Sequence, residues 1–565
     1  MICSFFDLEE RPCCADARKS LSSKSKRLCT GQYAQLAARK LLLRSPLAHG
    51  ECAKAHSLFF SEKDCPKYNL TTSVLTSLLA GSKMKVTFMS VPCRFEQAEK
   101  RRETMIERIA TKTVDQNVEI LTDLAKKIWE YPETAFNEVK ACEWTAEVLR
   151  NAGFEVEVGY VGMPTAIRAT WGSGSPKIGF LGEYDALPGM SQKISTEKDP
   201  VCPGAPGQGC AHNLLGVACV GAALGMKAEL EATGKEGTIV FYGCPAEEVL
   251  TGKAFMAREG AFADLDVAFA WHGSTTNNVT LGTMTGLNSA VFHFHGITAH
   301  AGGDPHNGRS ALDAVEIMSV GANYLREHVT SDVRIHYVIK EGGTAPNIVP
   351  DKASVWYYVR AMSREAVEDT YRRLVKCAEG AAHMTETELE IEFLGGCYNT
   401  MNPVMLTTLT RDIMEQVEMP QWTEEELAFA EALNVKSQQY DRVKATGVLE
   451  NGPLCTFVEP VLNEDGYGST DVGDVQHIVP CVQLMTATSN LAAPGHSWQI
   501  TACSGMSIGM KGMLYGAKVM AAAGMKLVEE PALVEEAKEE FKKQMNGKTY
   551  KCPIPKEIPV PQPQK

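Results

Sequence analysis

The stretch Thr238-Ile239-Val240-Phe241-Tyr242-Gly243-Cys244-Pro245-Ala246-Glu247-Glu248 joins an apolar run to a turn marked by Gly and Pro, and then to two adjacent carboxylates. A run of that length bounded by turn residues reads as a buried strand. Lys177 to Leu181 and Val267 to Ala270 have the same form, and Asn213 to Ala232 between the first two strands reads as a helix. Strands alternating with helices imply an α/β sheet. Polar residues follow each strand: Glu183 and Asp185, then Glu247 and Glu248, then His272. In an open α/β sheet the ligand crevice lies outside the carboxyl ends of the strands, so these distant residues are expected to converge.

Upstream, residues 105–128 and 134–152 carry apolar residues at three- and four-residue spacing, as in Val118, Leu121, Leu124 and Ile128, and read as two surface helices. Downstream, a second unit starts near Met284. It runs strand Ser289 to His295, helix Ser310 to Glu327, strands Val333 to Ile339 and Ala353 to Arg360, helix Arg364 to Met384 and strand Glu388 to Phe393. That βαββαβ order is the ferredoxin-like pattern. It is expected as an insertion over 284–398, dividing the α/β unit into parts at 105–283 and 399–547. Helices Ser507 to Met525 and Ala532 to Met545 close the second part, and a Pro-rich tail at 548–565 is expected to be extended or disordered from Pro553 onward. Thr423 to Lys444 reads as a charged helical segment of no legible role.

The composition is that of a globular chain: 565 residues, 44% hydrophobic and 22% charged. A net charge of −13 argues against non-specific nucleic-acid binding. No apolar run reaches the ~18–20 residues of a bilayer crossing, and the best candidate, Leu214 to Met226, reads as a buried helix. Residues 1–100 differ from the rest, with 16 Lys and Arg against 9 Asp and Glu and with 7 of the 18 Cys. This leader lacks a clean apolar core and cleavage site, and is expected to be disordered or to precede the true start at Met84, Met89 or Met105. The later Cys show no paired spacing, so reduced thiols and a cytoplasmic location are expected.

Cys210-Ala211-His212 opens the helix that begins near Asn213, and a thiolate and an imidazole two positions apart can reach one cation. Glu247 and Glu248 repel one another at a strand end unless a cation or a proton relieves them; one can hold a metal while the other serves as general base. Taken singly, each feature has a plainer reading: a buried Cys, an acidic helix start, structural histidines at His272 and His496. Together Cys210, His212, Glu248, His272 and His496 supply five donors, enough for a binuclear transition-metal site.

These stretches resemble the M20 family of metallopeptidases and amidohydrolases, in the branch of the p-aminobenzoyl-glutamate hydrolases. The resemblance rests on Gly182 to Gly189, Cys210 to Gly216, Gly243 to Glu248, Trp271-His272, Ala299-His300-Ala301, Gly303 to Ala314, Ala345 to Pro350, Tyr357 to Arg360, Gly468 to Asp474 and Gly495 to Gln499. It implies a zinc-peptidase-like catalytic α/β domain interrupted by a lid or dimerisation domain. It also implies two divalent transition-metal ions, manganese or zinc, on the five donors, with Glu247 as the general base. Asp185 matches an acidic residue that supports the cluster or orients a ligand. His300 matches a histidine that stabilises the oxyanion, which requires the lid of this chain or of a partner to fold over the site. Asn347 and Arg360 match a pair that grips the substrate carboxylate, although Arg360 shares its strand face with Trp356 and Tyr358, so a rim cation over aromatic rings competes. His293, His295 and His306 read as structural.

The activity implied is hydrolysis of the amide of an N-acyl or N-aroyl amino acid such as p-aminobenzoyl-glutamate, in a homodimer or in a heterodimer with a related chain. Two alternatives remain: a dipeptidase of the same family and a non-catalytic binding relative. The family pattern has Cys-Gly-His where this chain has Cys210-Ala211-His212, and its branch has His at Gln208. A positive φ at Ala211 would strain the turn.

Overall fold

The computed structural model describes residues 107–564, so the expectations for residues 1–100 lie outside the described residues. The apolar runs become strands β1 (Glu155–Val158), β2 (Ile167–Ser173), β3 (Lys177–Gly182), β4 (Gly237–Gly243), β5 (Val267–Ser274) and β6 (Asn278–Val279). After them come β7 (Gly286–His295), β8 (Arg334–Glu341), β9 (Lys352–Ala361), β10 (Glu388–Cys397) and β11 (Cys481–Ala487). The larger sheet has the order β1-β2-β4-β3-β5-β11-β6. Its centre, β4-β3-β5-β11, is parallel, and the flanking strands are antiparallel.

Alternation along each central strand feeds two separate cores. Ile178, Phe180, Ile239, Phe241, Phe269 and Trp271 face helices α1 (His212–Thr233) and α4 (Ser507–Glu529), the latter numbered after two helices of the inserted unit, α2 (Ala311–Leu325) and α3 (Arg364–Thr385). Leu181, Val240, Tyr242, Ala268 and Ala270 face the shorter helices Gly252–Arg258 and Val472–Gln476. Burial on both faces is why these strands read as continuous apolar runs. Among the described residues α1 is the one helix long and apolar enough to cross a membrane, yet 89% of its apolar window is buried, which makes it a core helix. It lies directly on the end of β3: a Cβ at Gly216 would stand 2.6 Å from the Glu183 carbonyl oxygen.

The inserted unit is a four-stranded antiparallel sheet, β10-β7-β9-β8. In its own strand order this is 4-1-3-2, the ferredoxin-like topology. α2 and α3 cover one face through Val315, Leu374, Phe292, Phe294, Val355 and Val359.

Several elements differ from the sequence expectation. The helix expected over 105–128 breaks at Asn117 into Ile109–Gln116 and Val118–Glu130. β5 continues to Ser274, so His272 lies within the strand rather than after it. The tail is extended but docked: Ile554 is buried against the second core, Arg258 Nη1 donates to the carbonyls of Pro555 and Ile558, and Gln564 N–H donates to Asn137. Its spaced apolar residues Ile554, Ile558 and Val560 give it a surface to hold that proline content conceals. Residues 423–444 form helices Glu424–Val435, opened by a Thr423/Glu426 capping box, and Tyr440–Ala445.

Candidate functional site

Because β3, β4, β5 and β11 run parallel, their carboxyl ends open on one edge. Glu183 and Asp185 leave β3, Cys210 and His212 stand at the start of α1, Glu247 and Glu248 follow β4, His272 is near the end of β5, and His496 lies in the loop after β11. Their donor atoms fall into three overlapping groups, each within 4.8 Å: Cys210, His212 and His272; Cys210, Glu248 and His496; Glu183, His212 and Glu247. Cys210 Sγ is 3.3 Å from His272 Nε2, and His496 Nε2 is 3.6 Å from Glu248 Oε2. The five expected donors are therefore brought together.

Asp185 works through its neighbours. One oxygen lies 3.1 Å from His212 Nδ1, and the other accepts the Glu248 N–H at 2.9 Å. It thereby holds the imidazole so that Nε2 faces the cluster, and it ties the β4 turn to the β3 turn. Burial pushes the Asp185 carboxyl up, but the hydrogen bond and charge of His212 outweigh it and hold the group below its usual range.

The turns themselves are tight. Nine described non-glycine residues have positive φ, and Phe136, Ala211, Ala246, Leu250 and His496 among them adjoin the cluster or its supports. Strained backbone of this kind collects where a site must be over-determined. Ala211 has φ 64°, ψ 30°, so the turn does require the left-handed conformation. An L-residue there costs about 1–2 kcal/mol. Burying its methyl returns about 0.8 kcal/mol, and glycine would add unfolded-state entropy of about 0.4–1 kcal/mol. Ala211→Gly is therefore expected to shift unfolding free energy by less than about 1 kcal/mol in denaturant titration, and Ala211→Val to lose about 1–3 kcal/mol. Gln208 has found a use in the same turn, since its Oε1 accepts the Asn213 N–H in the first turn of α1.

Buried groups that sequence reading missed support the cluster. Glu138 is fully buried; its Oε1 accepts N–H bonds from Phe136 and Ala246, and its Oε2 accepts from Thr165. Burial and the charge of Asp185 push its carboxyl up to about 8. Lys253, also fully buried, reaches Glu183 and Asp471. The one sequence signal for it is a lysine inside the otherwise apolar Gly252 to Ala257.

Burial raises the Cys210 thiol to about 12, so the thiolate needs a cation to form. Burial, then the charge of Glu183, lifts Glu247 well above the carboxylate range, and burial lifts Glu248 to about 7. Glu183 Oε2, His212 Nε2 and Glu248 Oε1 are buried without a hydrogen-bond partner. Such groups cost about 1–3 kcal/mol each unless something else satisfies them. A thiolate, imidazoles and carboxylates suit divalent transition ions, so the residues present fit such a pair.

Asn347 and Arg360, expected as a carboxylate clamp, are not brought together in the described chain. His300 and Asn347 are exposed neighbours at the tip of the inserted unit: a bridge joins His300 to Ile348, and the Asn347 carbonyl accepts the Ala301 N–H. Both lie beyond the Lys352 end of β9, whereas Arg360 is at its other end, about 26 Å of strand away. Arg360 Nη1 donates to Ser469 Oγ at 3.0 Å, two residues from Asp471, and its guanidinium lies over the Tyr358 ring at 5.3 Å. The cation-over-aromatic contact thus coexists with a hydrogen bond to the segment that carries Asp471. His293 and His295 pair with Glu392 and Glu390 across β7 and β10, and His306 with Asp304.

Residues 283–385 match the M20 peptidase dimerisation domain. The chain is 40% identical over 477 residues to a p-aminobenzoyl-glutamate hydrolase subunit of Escherichia coli, covering 80% of this chain and 98% of that protein. It is 29% identical over 456 residues to the Xaa-Arg dipeptidase of Mus musculus, covering 78% and 92%. Among solved structures, an aminobenzoyl-glutamate utilization protein from Klebsiella pneumoniae shares the fold at a TM-score of 0.51 and 16% identity, covering 74% of this chain and 97% of that one. With nearly the whole of one such relative matched, and the dimerisation domain set between the two parts of the parallel sheet, the chain belongs to the M20 family of metallopeptidases and amidohydrolases and is a hydrolase.

Proposed function

We propose that this hydrolase cleaves the amide of an N-acyl or N-aroyl amino acid, with p-aminobenzoyl-glutamate the first substrate to test, at two divalent transition ions held by Cys210, His212, Glu248, His272 and His496. The observation that carries the reading is the convergence of these donors on one sheet edge beside a second carboxylate, with buried donor atoms left unpartnered. The 40% identity to the E. coli hydrolase chain supports the substrate class. Manganese or zinc held there would polarise the scissile carbonyl and ease the ionisation of water.

Glu247 is the general base. Its Oε2 is 3.7 Å from His212 Nε2, which sets a carboxylate beside the donor atoms where it can take a proton from the attacking water and carry it to the leaving amine. Arg360 grips the substrate carboxylate from the domain junction. His300 Nδ1 accepts the N–H groups of Gly302 and Gly303, which leaves the proton on Nε2 as a donor for an oxyanion. Among the described residues no hydrogen bond or ion pair joins His300 or Asn347 to the cluster. A second chain's inserted unit supplies them in this reading, from another copy or from a related protein. The E. coli relative is one of two differently sequenced chains that bear the p-aminobenzoyl-glutamate hydrolase name in that organism. The other is 26% identical to this chain over 244 residues, 41% of this chain and 55% of that protein.

Elemental analysis with a hydrolysis screen over N-acyl and N-aroyl amino acids and Xaa-Arg dipeptides tests this. The expected result is two manganese or zinc ions per chain and p-aminobenzoate release that a chelator abolishes and added metal restores. Full activity in metal-free protein overturns the mechanism, and faster cleavage of Xaa-Arg substrates replaces the substrate class.

A further inference from the structure

Glu183 has no place in the five-donor set, yet it is built into the same pocket. It is 2% exposed, and its two oxygens differ: Oε1 is 2.5 Å from Lys253 Nζ, while Oε2 has no hydrogen-bond partner and lies 3.5 Å from His212 Nε2. His212 Nε2 is likewise buried and unpartnered, because the hydrogen bond to Asp185 is made by Nδ1. Glu247 Oε2 approaches the same nitrogen at 3.7 Å. Two carboxylate oxygens and an imidazole nitrogen that is not bonded to either converge on one point, and such a convergence holds together only around positive charge.

The bracing of Glu183 is equally specific. Lys253 is fully buried; its Nζ also lies 2.5 Å from Asp471 Oδ1, and its backbone N–H donates to Asp471 Oδ2 at 2.8 Å. Lys253 follows directly on the turn that carries Glu247 and Glu248. That segment is locked in place: Gly252 passes so close to the Pro245 carbonyl that no side chain fits there. Engaging one Glu183 oxygen with Lys253 leaves the other directed at His212. Asp471, from the second part of the α/β unit, completes the charge around the lysine.

We propose that Glu183 is a sixth donor of the cluster, offering Oε2 to the cation that His212 holds, with Lys253 and Asp471 as positioning residues that fix its other oxygen. The inference rests on the metal-dependent reading above. In this arrangement Asp185 orients His212 from behind, through Nδ1, while Glu183 shares the front of the ring.

Full-length protein stripped by a chelator and titrated with Co(II), followed by visible absorption and by metal analysis, tests it. Wild type is expected to take two Co(II) per chain. Glu183→Gln is expected to weaken one of the two by about 10- to 100-fold and to change its d–d absorption, leaving the other unchanged. Glu183→Asp, which keeps the charge beside Lys253 but withdraws the oxygen by one methylene, is expected to weaken the same ion; it carries the test if the glutamine variant does not fold. Asp471→Asn is expected to weaken that ion by a smaller factor. Glu183 variants that bind both ions at wild-type affinity with an unchanged spectrum, while only their melting temperature falls, overturn the proposal and leave a structural ion pair. Wild type that binds no Co(II) overturns the metal reading itself, a separate result.

Discussion

Glu247→Gln is expected to lower kcat for p-aminobenzoyl-glutamate by about 10²- to 10⁴-fold, with metal content close to wild type. The amide keeps the shape and burial of the side chain but cannot accept a proton. Glu248 presents a contrast one residue away: its backbone is tied to Asp185 and its carboxylate lies between His212 and His496. Glu248→Gln is expected to lose activity together with bound metal. Rates from initial velocities, paired with metal analysis on the same preparations, separate the two. A Glu247→Gln protein that turns over at the wild-type rate would remove the base from the mechanism.

The second large effect comes from mixing two inactive proteins. His300→Ala is expected to lose about 10²- to 10³-fold in kcat, as removal of an oxyanion donor does. If the inserted unit of one chain serves the cluster of the other, a mixed dimer of Glu247→Gln and His300→Ala contains one intact site. Unfolding and refolding the variants together should then recover about a quarter of wild-type activity, since half the two-fold dimers are mixed and each has one working site. Service within one chain predicts no recovery, because neither chain then carries both residues. A heteromeric assembly with a different protein predicts recovery only when that protein is present.

What the sequence made legible follows from where each residue sits. β3, β4 and β5 are buried on both faces, so their apolar runs stand out. β1, Glu-Val-Glu-Val at the sheet edge, and β2, where the half-buried Arg168 and Thr170 alternate with core-facing residues and the strand ends on exposed Gly172 and Ser173, give no such signal. The five donors are legible because each adjoins a strand end or a helix start where a polar residue is conspicuous. The Asn347 and Arg360 pairing is not, because motif order along the chain says nothing of which end of β9 a residue occupies. Glu138 and Lys253 escape for another reason: a charged residue in sequence reads as surface, and only the folded chain shows that each is enclosed. The positive φ at Ala211 was foreseeable as a requirement of the turn, and the structure shows the alanine adopting it.

β11 has a consequence for how the molecule is made. It occupies the slot between β5 and β6, and its register pairs Cys481 with Ala268, more than 200 residues earlier in the chain. Pairing between strands so far apart in sequence forms more slowly than the local contacts of the ferredoxin-like unit. During synthesis the inserted unit is complete well before the sheet that flanks it. His496, in the loop that follows β11, reaches the other donors from this late segment. A chain that stops short of β11 therefore carries Cys210, His212, Glu248 and His272 but lacks His496, the donor that completes the convergence on the sheet edge.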